Sequence, residues 1–232
     1  MMKSIWTDLW DFLFPRYCVI CGQRLLRSEQ FLCMDCLHKL PRTNLHTFPD
    51  NLIEKNLWGR LPLERASSFL YYAKGGSVQK LLFELKYYHN AEIGYYLGRC
   101  MAMELLSSGF FTGIDYIIPI PLHPKRLKER GYNQSEMLAN GISSISHTPV
   151  QVGWVQRAHT TQTQTHKSRF ERWENVKDVF QLTCDESLEN CHLLLIDDVM
   201  TTGATLTACA DAFRQIPGLR ISVLTLALAG ES

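Results

Sequence analysis

Apolar and polar positions follow two different rhythms along this chain, and the switches between them outline its elements. SSFLYYA (67–73) is dense in aromatic residues and predicts a strand. GSVQKLLFELKYY (76–88) places apolar residues at helical spacing, and so does AEIGYYLGRCMAMELLSSG (91–109), which Gly109 ends. DYIIPIP (115–121) is a short apolar strand stopped by prolines, and NQSEMLANGISSI (133–145) predicts a helix. ENCHLLLIDDV (189–199) predicts a strand whose unbroken run Leu193 to Ile196 fits a parallel sheet covered on both faces. A helix, TGATLTACADAFRQI (202–216), and a last strand, RISVLTLALA (220–229), follow. Strands alternating with helices imply an α/β domain with a mainly parallel sheet.

The pattern is weaker before residue 67. Residues 41 to 65 hold Pro41, Pro49 and Pro62 and read as a connector, with a boundary near residue 60 that divides the chain into 1–60 and 61–232. The start, MMKSIWTDLWDFLFPRYC, recurs in bulky apolar residues but is broken by Asp8 and Asp11 and lacks a small-residue cleavage site. A short amphipathic helix is expected there rather than a signal peptide. No segment reaches the roughly 18 apolar residues of a membrane span, so a cytoplasmic protein is expected. A net charge of +1 over 232 residues gives no global electrostatic case for nucleic acid.

Cysteine spacing adds a feature that periodicity misses. Cys18/Cys21 and Cys33/Cys36 form two Cys-x-x-Cys pairs separated by eleven residues. A two-residue gap lets both thiolates of a pair face one metal ion, and Gly22 suits the tight turn behind the first pair. Four thiolates make a closed, structural Zn²⁺ site, which supplies folding energy that so short a segment lacks. Two disulfides or a redox dithiol are the alternatives. The missing secretion signal opposes the first, and the doubled motif opposes the second. Cys100, Cys184, Cys191 and Cys209 show no pairing rhythm and read as ordinary small residues.

The richest chemistry follows the strand at 193–196. Ligands of open α/β sheets bind beyond the carboxyl ends of strands. Asp197 and Asp198 stand there, followed by Thr201, Thr202, Gly203, Ala204 and Thr205 leading into a helix. A helix N-terminus with hydroxyls and a close-approaching glycine binds phosphate, and paired carboxylates suit vicinal hydroxyls. A sugar phosphate offers both groups. Simple N-capping by Asp198 or Thr201 is the plain alternative, but a cap needs one such residue. IPIPLHPKRLKERGYNQS (118–135) carries Lys125, Arg126, Lys128 and Arg130 against Glu129, and fits either an anion site or a solvated basic turn. RAHTTQTQTHKSRFERWENVKDVF (157–180) is polar and aperiodic, and reads as a mobile lid or an ordinary surface loop.

Residues 193–205 closely resemble the phosphoribosyl pyrophosphate (PRPP) motif of type I phosphoribosyltransferases. Nearly the whole chain, with LFPRYC before the cysteines, FELKYYHN around Lys86, PIPLHPKRLKERGYNQSEMLA and the 157–180 block, resembles the ComF family of competence-protein-F or GntX type. The 157–180 block follows the family pattern through Arg157, Thr161, Thr163, Gln164, Thr165, Arg172, Asn175 and Phe180, and departs from it at Gln162 and His166-Lys167.

That resemblance implies a type I phosphoribosyltransferase fold preceded by a small zinc-binding module. It implies that Asp197 and Asp198 hold the ribose hydroxyls and stabilise positive charge at the anomeric carbon, while Thr201 to Thr205 hold the 5′-phosphate. Lys125, Arg126 and Arg130, with Lys86, would face the pyrophosphate. Residues 157–180 would form a flexible catalytic loop, with Arg157, Lys167, Arg169 and Arg172 as candidates to reach the pyrophosphate on closure. The implied reaction moves ribose 5-phosphate from PRPP, with Mg²⁺ bridging its oxygens, to an acceptor that the sequence does not specify. His123, His159 and His166 lie in the right segments without marking themselves as bases. Two alternatives stay open: a PRPP or nucleotide sensor without turnover, and a single-stranded-DNA accessory factor working with DNA-uptake proteins. Against DNA, Arg16, Arg24, Arg27 and Lys39 are partly balanced by Asp8, Asp11, Glu29 and Asp35. The oligomeric state is open, a homodimer being common in the related fold.

Overall fold

The computed structural model describes residues 14–88, 90–157 and 180–230. In chain order its elements are α1 (Met34–His38), α2 (Leu52–Leu57), β1 (Leu63–Tyr72), α3 (Ser77–Tyr87), α4 (Ala91–Leu106), β2 (Tyr116–Pro119), α5 (Pro124–Arg130), α6 (Gln134–Ser146), β3 (Val155–Arg157), β4 (Phe180–Leu182), β5 (His192–Met200), α7 (Ala204–Asp211) and β6 (Arg220–Ala229). A 3₁₀ turn, Leu45–Thr47, precedes α2.

β1, β6, β5 and β2 lie side by side in that order, every neighbour parallel. Leu193 to Ile196 are wholly buried, as an unbroken apolar run in a central parallel strand demands. One face of the sheet shares a core with α3, α4 and α6, through Leu81, Leu85, Leu97, Met101, Leu138 and Ile142. The other face packs Ile53 and Leu57 of α2 and Leu206 and Cys209 of α7. α4 and α6 touch backbone to backbone, since a side chain at Gly98 or Gly141 would overlap Leu138 or Tyr95. The α/β architecture expected from the alternation is therefore present.

Four details differ from the periodicity reading. β5 begins at His192 rather than at 189, where the chain is still in a turn, and pairs with β6 from Arg220 onward. The helix after the motif is shorter than 202–216 and gives way to turns after Asp211. The connector holds a real helix, α2, started by a capping box in which Asn51 and Glu54 satisfy each other's backbone N–H groups. Its six residues are too short for a clear helical period. A small antiparallel sheet, β3 with β4, was also not anticipated. The amphipathic helix expected at the N-terminus lies outside the described residues.

The cysteine segment packs on the α3–α4 side of the sheet. Cys18, Leu25, Leu32, Cys33 and Leu40 join the core cluster of those helices, and the Phe31 ring lies 5.5 Å from Tyr96. Lys80 Nζ donates to the Ile20 carbonyl at 2.6 Å, and Arg42 pairs with Glu104 at 2.7 Å. Among the described residues no helix is long and apolar enough to cross a membrane.

Candidate functional site

β2 ends opposite Ile196, at Pro119, so the next residues of β5, Asp197 and Asp198, emerge beyond the edge of their neighbour. The Asp197 carboxylate accepts from Ser135 Oγ at 3.2 Å and from the Asp198 N–H at 2.9 Å. Ser135 is presented by the first turn of α6, where Asn133 caps the helix and its Nδ2 donates to the Ile120 carbonyl at 3.0 Å. Lys86 Nζ reaches Asp198 Oδ2 at 2.8 Å, with the two side chains only 21% and 17% exposed. The end of α3 that carries this lysine is held by Tyr132, whose hydroxyl donates to the Leu85 carbonyl at 2.6 Å. Burial first, and the Asp198 charge second, push the Asp197 carboxyl up to about 7, against the opposing pull of its hydrogen bonds and Lys86. Near neutral pH the Asp197 carboxyl thus gives up its proton, and the paired acids can accept hydrogen bonds from a diol and stabilise a developing cation.

Behind the acids the chain makes a tight turn into α7. Gly203 has a positive φ of 73°. A side chain there would meet Leu57 Cδ2 at 2.7 Å and Met200 Cε at 3.2 Å, so only glycine fits. No side chain caps α7. Thr201, Thr202, Ala204 and Thr205 are exposed, so the helix start offers N–H groups and hydroxyls to an anion. Below it Cys209 is buried, and burial pushes its thiol well above the ordinary range, with Asp197 adding to the effect. It is an inert packing residue.

The basic segment folds as helix α5. Lys125, Arg126 and Lys128 are exposed. His123 is its N-cap, Nδ1 accepting from the Lys125 N–H at 3.2 Å, which gives this histidine a structural role. Arg130 donates to Gln134 Oε1 at 2.7 Å and lies over the Tyr87 ring at 5.7 Å. Lys86, Tyr87, Arg126, Glu129 and Arg130 line a cleft of about 400 Å³. A second cleft, of about 320 Å³, runs from Lys86 and Phe83 to Val199 and Thr201. Lys86 belongs to both, so the structure brings together Asp198, Lys86, Arg126, Arg130 and Thr201. A roomier cavity of about 570 Å³ opens near Glu64 and Arg65, beside the start of β1, and contains none of the motif residues.

Arg157 ends β3, paired with Phe180 of β4, and its guanidinium lies 5.3 Å from the Phe180 ring. Its described contacts do not join it to the aspartates. Arg172, Lys167, Arg169, His159 and His166 lie outside the described residues.

The four expected cysteines converge, with their sulfurs all within 4.8 Å of one another. Cys21 and Cys33 sulfurs are 3.8 Å apart, which matches the edge of about 3.8 Å in a tetrahedron with Zn–S bonds of about 2.3 Å. The donor set fits a structural zinc ion. Burial pushes the Cys18 thiol up, but backbone N–H groups of Cys21, Cys33 and Ile20 outweigh it and bring it down to about 7. Glu29 binds the knuckle's two halves, accepting from the Leu26 and Met34 N–H groups, each at 2.7 Å. Those two bonds hold its carboxyl below the usual range.

Three residues of these sites were not singled out from sequence: Ser135, Glu29 and Arg60, whose Nη1 donates to the Thr202 carbonyl at 2.7 Å. Each acts across a long sequence separation or on backbone atoms. The serine next to the Asn133 cap was the one local hint.

No protein-family model matches the chain. It is 31% identical over 196 residues to DNA utilization protein YhgH of Escherichia coli (strain K12), covering 83% of this chain and 82% of that protein. It is 35% identical over 116 residues to Competence protein F of Haemophilus influenzae, covering 50% of this chain and 51% of that one. Among solved structures, the glutamine PRPP amidotransferase from B. subtilis is similar at a TM-score of 0.41 and 17% identity, over 61% of this chain and 30% of that one.

Proposed function

The chain belongs to the ComF family of competence-protein-F and YhgH-like proteins, and from that premise we propose that it binds PRPP with Mg²⁺ and transfers ribose 5-phosphate to an acceptor. The supporting observation is the connected set Lys86–Asp198–Asp197–Ser135 at the carboxyl end of β5, followed directly by the uncapped start of α7.

In this reading Asp197 and Asp198 accept hydrogen bonds from the ribose 2′ and 3′ hydroxyls. Thr201, Thr202, Gly203, Ala204 and Thr205 enclose the 5′-phosphate. Lys86, Lys125, Arg126 and Arg130 face the pyrophosphate, and Arg157 and Arg172 approach it from the 157–180 segment. The anomeric C–O bond breaks with its electron pair leaving on pyrophosphate, and the acceptor's lone pair forms the new bond. The paired carboxylates stabilise the positive charge between these events, so positioning and electrostatics do most of the work. Bound Mg²⁺ supplies neutralisation of the pyrophosphate oxygens. Zn²⁺ on Cys18, Cys21, Cys33 and Cys36 is structural.

The test is pyrophosphate release from PRPP and Mg²⁺ across a panel of heterocyclic bases, amines and water. Release that requires one acceptor class, and vanishes in an Asp197→Asn, Asp198→Asn variant, supports the transferase. PRPP binding without release supports a sensor. A second reading rests on the names of the relatives, DNA utilization and competence, and on the exposed cations of α5. It predicts salt-steep affinity for single-stranded DNA that survives both aspartate substitutions.

A further inference from the structure

We infer that Arg60, from the connector before β1, is a positioning residue for the phosphate-binding turn. The inference rests on the PRPP reading above. Arg60 Nη1 donates to the Thr202 carbonyl at 2.7 Å across 142 residues of sequence, and to the Asn56 carbonyl at 3.2 Å.

Its support is rigid. Asn51 and Glu54 cap α2 reciprocally. The same two side chains fasten α2 to β1, through Asn51 Nδ2 to the Ala66 carbonyl at 2.9 Å and the Ala66 N–H to Glu54 Oε1 at 3.1 Å. Ile53 and Leu57 are fully buried. Leu57 also fills the space where a Gly203 side chain would stand. Helix and turn are therefore packed against each other.

The consequence follows from peptide geometry. In a trans peptide the C=O and the following N–H point in opposite directions. Holding the Thr202 carbonyl toward Arg60 aims the Gly203 N–H the other way, toward the open start of α7. Among the described residues no group accepts from that N–H. Arg60 thus sets the direction of one donor of the cup and adds a positive charge beside it, without belonging to the motif. It favours a ligand carrying the sugar-bound phosphate over one carrying pyrophosphate alone, whose candidate cations sit on α3 and α5.

Calorimetry on the full-length protein with Mg²⁺ tests this, titrating PRPP and inorganic pyrophosphate separately. Arg60→Met is expected to weaken PRPP binding about tenfold and leave pyrophosphate binding within twofold. Arg60→Lys, which retains a charge and a donor, is expected to recover part of the loss. Unchanged PRPP affinity in Arg60→Met overturns the inference. Equal weakening toward both ligands also overturns it, because that marks general loosening. A wild-type protein that binds pyrophosphate but not PRPP instead removes the underlying sugar-phosphate reading.

Discussion

Replacing Asp197 by asparagine removes one negative charge from the acid pair but keeps an oxygen for the hydrogen bonds from Ser135 and the Asp198 N–H. In the native protein burial, and then the Asp198 charge, push this carboxyl from 3.8 to about 7. In the unfolded chain it loses its proton near its ordinary value of about 3.9. Between those two values the native state holds a proton that the unfolded state has released. Stability is therefore greatest below the unfolded value, falls as pH rises, and carries the full penalty above about 7. A rise of that size corresponds to about 4 kcal/mol, which coupling within the pair and local relaxation reduce to roughly 1–3 kcal/mol. Asparagine does not titrate. Asp197→Asn should match the wild type at about pH 3.5 and exceed its stability by roughly 1–3 kcal/mol at about pH 8.5, while losing ligand affinity. Urea unfolding of both proteins at the two pH values measures this, and comparison at a fixed pH cancels the contributions of other groups. An asparagine variant less stable at both values, or shifted equally at both, refutes the argument.

Lys86→Met leaves Asp198 without its cation. Removing one partner of a buried pair costs about 3–5 kcal/mol, reduced here to about 1–3 because a fifth of each side chain meets solvent. The double variant Lys86→Met, Asp198→Asn should recover most of that loss in a urea-based mutant cycle. Cys18→Ser should lower zinc content, by elemental analysis, from about one ion per chain toward none, and should lower the melting temperature, because Cys18 and Leu32 share a core with α3 and α4.

The parts of this fold that were legible in the sequence are those governed by local rules. Leu193–Ile196 announced a central strand because a doubly covered strand has no polar face. The cysteine pairs announced their cluster because metal geometry fixes a short spacing. The aspartates and the threonine turn stood out because their chemistry exceeds what a helix cap needs. Other features depend on partners distant in the chain. The start of β5 at His192 is set by β6, whose Arg220 pairs with it. Arg60 contacts a carbonyl 142 residues away. α2 is too short to show a period, and its capping box, Asn51 with Glu54, was hidden among the prolines of the connector. The basic stretch read as one feature separates in the structure into a histidine cap, exposed cations and Arg130 over Tyr87.

The central claim is that the paired acids and the turn behind them recognise a phosphorylated pentose. Isothermal titration of the full-length protein with PRPP, with and without Mg²⁺, examines it most directly. The account predicts saturable one-site binding that requires Mg²⁺ and disappears in the Asp197→Asn, Asp198→Asn variant. Absence of binding by the wild type, or equal binding by the double variant, would contradict it.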